Sequence, residues 1–76
     1  MNLGLTTEQK IGLLTASKST MQAEVYNILV RLGVDPDTYS AGTEITVSDS
    51  FIGEKVRLDG LLDSLEFVES KLTELL

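Results

Sequence analysis

Ile45-Thr46-Val47-Ser48-Asp49-Ser50-Phe51-Ile52-Gly53-Glu54-Lys55-Val56-Arg57-Leu58 is the stretch on which the reading of the fold turns. Ile45, Val47 and Phe51 alternate with polar residues, and Val56 and Leu58 do the same beyond Gly53-Glu54. A period of two marks strands with one apolar face. A Gly-X pair between two such runs suits a type II′ turn, whose twist matches that of paired strands. The expectation is a β-hairpin centred on Gly53-Glu54, with Phe51 opposite Val56 and Ser50 opposite Arg57. Asp49 then falls on the apolar face opposite Leu58, a defect that points to a bulge or the sheet margin.

Both flanks of this stretch read as helices. After it, Asp59 is placed to cap a helix whose Leu61, Leu65, Val68, Leu72 and Leu75 continue from Leu58 at intervals of three and four, the seam of a packed helix. Before it, Thr6-Thr7-Glu8-Gln9 fits a capping box. Ile11, Leu14, Met21, Val25, Ile28 and Leu32 then make a second seam, with Lys18 filling the gap. Gly33 suits the left-handed helix end and Pro36 prevents continuation. Ala16-Ser17-Lys18-Ser19-Thr20 interrupts the seam, and Ser19-Thr20-Met21-Gln22 is a second capping box, so residues 7–32 allow one helix or two. With no Gly or Pro to enforce a break, one continuous helix is favoured. Asp35-Pro36-Asp37-Thr38-Tyr39 reads as a short helical turn with Asp35 as its cap, and Ser40-Ala41-Gly42 as loop. The expected fold is α+β: a single domain over residues 1–76, helix–hairpin–helix, with two antiparallel helices packed against a two-stranded hairpin.

Composition limits the chemistry. A chain of 76 residues buries only about 60% of the surface that its unfolded form exposes, so its core needs support. There is no cysteine, which excludes disulfides, thiolate metal sites and a catalytic thiol. There is no histidine, which removes the commonest general base and transition-metal ligand. Association with another chain is the remaining support. Leu13, Leu29 and Val30 lie off the first seam and Leu62, Phe67 and Leu76 off the last, a surplus that also points to association.

The net charge is −6 and is unevenly placed. Residues 35–76 hold ten acids against Lys55, Arg57 and Lys71, whereas residues 1–34 are nearly balanced. An acidic surface repels phosphate backbones and anionic lipid, so neither nucleic acid nor membrane is expected as a partner. Met1-Asn2-Leu3-Gly4-Leu5 lacks a basic, apolar leader pattern, and the longest apolar run, Ile28-Leu29-Val30, is far too short to span a bilayer. The expected compartment is the cytoplasm, for a cellular protein or a virion component assembled there.

One motif invites a sharper reading. Asp63-Ser64-Leu65-Glu66-Phe67-Val68-Glu69 resembles the prosthetic-group attachment site of acyl carrier proteins, where Asp-Ser-Leu, an acid and Val-Glu open a helix. The resemblance implies phosphopantetheine on Ser64, with Asp63, Glu66 and Glu69 facing basic partner enzymes. It covers about ten residues; the family continues for two more helices, whereas seven residues follow Glu69 here. Read from the residues alone, Ser64 is a solvent-facing helix residue and no cofactor is expected. In architecture, helix–hairpin–helix is similar to the small head–tail joining proteins of tailed phages, which implies assembly into rings.

Other constellations are weaker. Asp35, Asp37 and Glu44 lack the spacing and central glycine of an EF-hand, so no metal is expected. Asp59 and Asp63 lie one helical turn apart without a cleft to separate their acidities, and no catalytic residue is assigned. The function expected is therefore non-enzymatic: a protein-interaction or assembly module whose partner is itself or another protein, most simply as a homo-oligomer. Phe51, Ile52, Phe67 and Leu76 are the candidate interface residues, with Ile52 placed at the hairpin tip. Asp59, Asp63 and Glu66 form a candidate acidic face. The alternatives are a small acidic inhibitor or adaptor for a basic protein, and a truncated acyl-carrier-like protein modified at Ser64.

Overall fold

The computed structural model describes residues 3–40 and 43–76. Two α-helices dominate it: α1, Thr7–Leu32, and α2, Ile52–Leu75, the latter preceded by a 3₁₀ turn over Asp49–Phe51. They run antiparallel, as the ion pairs between them show. Lys18 meets Glu69, Glu24 meets Arg57, and Arg31 meets Glu54, so positions ascend on one helix as they descend on the other.

Local chemistry accounts for both ends of α1. Thr6 Oγ1 accepts the Gln9 backbone N–H at 3.1 Å, and the Thr6 N–H donates to Gln9 Oε1 at 2.9 Å, satisfying two of the donors that a helix start leaves free. At the other end Gly33 takes φ 78°. Its N–H donates to the Val30 carbonyl and the Val34 N–H to the Leu29 carbonyl, the two bonds of a Schellman ending. Val34 packs back on the core that contains Leu29. The helix is unbroken through Ala16–Thr20. There the Thr20 hydroxyl donates to the Ala16 carbonyl, a bond made within a continuing helix. Lys18, on the seam, brings its ammonium to within 3.8 Å of Glu69.

The expected β-hairpin does not form, and the α+β fold is corrected to a helical hairpin: no strand occurs among the described residues. Two side chains show why. Val56 and Leu58 would share a strand face, yet Leu58 is fully buried and Val56 is 65% exposed, as expected for residues about 200° apart around a helix. Gly53 is helical and is not at positive φ, which a type II′ turn requires at that place. α2 starts seven residues before Asp59, the expected cap. A lone two-stranded hairpin is marginal, whereas extending an established helix adds a backbone bond per residue. The extension also brings Lys55 Nζ to 2.8 Å from Asp59 and Glu54 to Arg31. Asp49 opens the 3₁₀ turn, so there is no pleated face for it to disrupt.

The core gathers at the connected end. Val25, Ile28, Leu29 and Leu58 form its centre, and Val34, Tyr39 and Ile45 from the connection pack against it. Within the connection, the Asp37 N–H donates to Asp35 Oδ1 and the Tyr39 N–H to the Asp35 carbonyl, giving the single turn read there. Of the loop read at Ser40-Ala41-Gly42, residues 41 and 42 lie outside the described residues. The molecule is elongated, 45 × 25 × 17 Å. Its radius of gyration of 14.8 Å exceeds the roughly 11 Å of a compact chain of this length.

Candidate interaction surface

A two-helix hairpin has one seam to bury and two open faces, and this chain leaves apolar side chains on both. Among the described residues only Val25, Ile28, Leu29, Leu58 and Val68 are buried hydrophobics, while Leu13, Tyr26, Val30, Ile52, Val56 and Phe67 are each at least half exposed. The total accessible surface is 5546 Å² for 8.3 kDa. A compact monomer of that mass exposes about 4,600 Å². The surplus is roughly 950 Å², comparable to the ~800 Å² that each partner contributes to a standard protein–protein interface.

Open grooves mark where this surface lies. One, of about 350 Å³, crosses both helices at the unconnected end and is lined by Leu5, Leu13, Leu14 and Leu75 together with Lys10, Lys71 and Glu74. A second shares Leu13 and continues along α1 past Ala16, Ser17, Thr20 and Met21. On α2, Lys71 belongs to a stripe that runs back through Phe67, Gly60 and Val56, spaced 4, 7 and 4 and so on one side of the helix. The opposite face of the hairpin carries a shallower groove between Tyr26, Leu62 and Leu65, closed at one end by Pro36 and Tyr39.

The four residues proposed from sequence as interface are all exposed, but they are not brought together. Phe51 and Ile52 sit at the start of α2, Leu76 beyond its end, and Phe67 in its second half. Ile52 is a first-turn helical residue and not a hairpin tip. Asp59, Asp63 and Glu66 share an exposed flank of α2, with Asp59 engaged by Lys55. Ser64 is exposed in the middle of α2, not at a helix start. Leu13 was visible in the sequence as off-seam, but Val56 was hidden by its assignment to a strand, and Gly60 carried no signal beside an expected helix start at Asp59. The 56, 60, 67, 71 spacing becomes a stripe only once α2 extends to Ile52.

The charge is polarised along the rod. Asp35, Asp37, Glu44 and Asp49 lie in or beside the connection, which holds no Lys or Arg. Lys10 and Lys71 lie at the other end together with Glu8 and Glu74; Lys71 is paired with Glu74, and Lys10 makes no ion pair among the described residues. No group of acidic residues among the described ones is arranged to hold a metal ion, and Asp35 Oδ1 is engaged by the Asp37 N–H. No described helix is long and apolar enough to cross a membrane.

Comparison with protein-family models, with curated proteins and with solved structures finds no match to this chain.

Proposed function

We propose that this chain is a non-enzymatic protein-interaction module that assembles with copies of itself. The observation that carries the reading is the surplus of accessible surface, 5546 Å² in all against about 4,600 Å² for a compact monomer. The groove at the unconnected end, walled by Leu5, Leu13, Leu14 and Leu75, offers apolar surface for such a contact. A cysteine-free chain needs no oxidising compartment to fold, in keeping with a cytoplasmic place of work. The likeness to phage joining proteins rested on the hairpin and loses its support with it. The carrier reading draws no support from the position of Ser64 within α2.

The native mass of the purified protein across a dilution series tests the proposal. A stable oligomer is the expected result, and a monomer at every concentration would remove it. The second reading, a small acidic adaptor, draws on Asp59, Asp63 and Glu66 along the exposed flank of α2. It requires a basic partner whose binding weakens steeply with salt.

A further inference from the structure

Resting on that reading, the structure points to which face associates, with what, and in which orientation. We propose that a second copy of this chain packs on the face carrying Leu13, Phe67 and Gly60. The two copies lie antiparallel about a two-fold axis through the middle of the rod and complete a four-helix bundle.

Three observations converge on it. The first is area: a surplus of roughly 950 Å² per copy fits one isologous interface of standard size, whereas burying both faces of the hairpin needs more. The second is register. α2 spans Ile52–Leu75, so its midpoint falls between Asp63 and Ser64. Phe67 lies about 5 Å beyond that midpoint and Gly60 about 5 Å before it, at the rise of an α-helix. Val56 and Lys71 are likewise equidistant, about 11 Å to either side. A two-fold axis at the midpoint therefore sets Phe67 of each copy against Gly60 of the other, and the Val56 side chain against the aliphatic stem of Lys71. Space for the ring exists, because nothing lies within 4 Å of where a Gly60 Cβ would be. On α1, Ala16, Ser17 and Thr20 are small enough to let the helices approach, and Leu13 closes the end of the contact.

The third is charge. In the parallel arrangement the two connections lie side by side, each with Asp35, Asp37, Glu44 and Asp49 and no cation. In the antiparallel arrangement each acidic connection lies toward the far end of the other copy, where Lys10 and Lys71 offset Glu8 and Glu74. Like charges in one place are penalised, which selects the antiparallel pair.

The test is native mass by light scattering over a dilution series, with far-UV circular dichroism on each variant. The wild type is expected at the mass of a dimer. Gly60→Leu fills the space meant for Phe67 and replaces glycine by a better helix former, so the monomer stays helical while the dimer weakens by about thirtyfold or more, as for a central interface residue. Phe67→Asp has the same effect. Because the chain has no cysteine, Ser64→Cys reports position directly: it forms a disulfide-linked dimer on mild oxidation, whereas Glu66→Cys, on the other side of α2, does not. A monomeric wild type overturns the self-assembly reading and this proposal with it. A dimer that survives both Gly60→Leu and Phe67→Asp, or is cross-linked through Glu66→Cys and not Ser64→Cys, overturns this face and leaves self-assembly standing.

Discussion

Gly33 decides where α1 stops. At φ 78° it holds a conformation that costs an L-residue with a side chain about 1–2 kcal/mol, and its N–H closes one of the two terminal bonds. Gly33→Ala is expected to lower stability by about 1 kcal/mol, seen as a lower urea midpoint with an unchanged slope. Leu58 is the other critical residue. It is fully buried between the helices and the connection, so Leu58→Ala removes contacts worth about 2–5 kcal/mol. In so small a domain that is much of the total, and circular dichroism is expected to show substantial unfolding at room temperature. By contrast the Glu24–Arg57 pair is exposed. Arg57→Ala is expected to change stability by less than about 1 kcal/mol, and a loss comparable to Leu58→Ala would show that the pair is shielded from solvent by something further, such as a second copy.

At the scale of elements, α1 was legible in the sequence and the first seven residues of α2 were not, for a physical reason. α1 begins and ends on residues whose side chains or conformational freedom serve the backbone directly, Thr6 with Gln9 and Gly33 with Val34, and its seam repeats at the helical period. The start of α2 has no such mark: Ser48 makes no side-chain cap to the 3₁₀ turn, and Phe51 makes none to the helix. Two glycines, Gly53 and Gly60, dilute the helical pattern there, while Val56 and Leu58 match a strand by a spacing of two. What separates the readings is tertiary, namely that Leu58 belongs to a seam with Leu61 and Leu65 while Val56 does not. Of the candidate surface, Phe67 was recoverable from its off-seam position, but Gly60 gains meaning only from the axis of α2. Gly53 provides a direct check on the helix boundary. It is helical, exposed and open around its Cβ direction, so Gly53→Ala is expected to raise stability by about 0.5–1 kcal/mol. In a type II′ turn the same change would force alanine to positive φ and lower the melting temperature.

For the whole molecule, length and shape set the terms. Helices of 26 and 24 residues packed only on each other leave each with roughly half its circumference in water, and the buried core is weighted to the connected end. Such a hairpin lacks the second layer that small helical domains use to close their seams. If a second copy supplies it, folding and association become one equilibrium, and stability must depend on concentration. For a dimer of chains this size the melting temperature is then expected to rise by about 3–5 °C for each tenfold increase in protein. The rise is expected to disappear in Gly60→Leu, whose monomer melts lower but independently of concentration. Salt acts on the same equilibrium through the ends of the rod. There Lys10 and Lys71 only offset Glu8 and Glu74, and each copy carries a net charge of −6. Screening therefore relieves repulsion between copies, and the wild-type dimer is expected to be looser at low ionic strength and to tighten modestly toward physiological. Lys10→Glu is expected to loosen it further at low salt and little at high salt. A melting temperature that stays constant across a hundredfold dilution series would show that the hairpin is sufficient on its own, and that its exposed leucines serve a different partner.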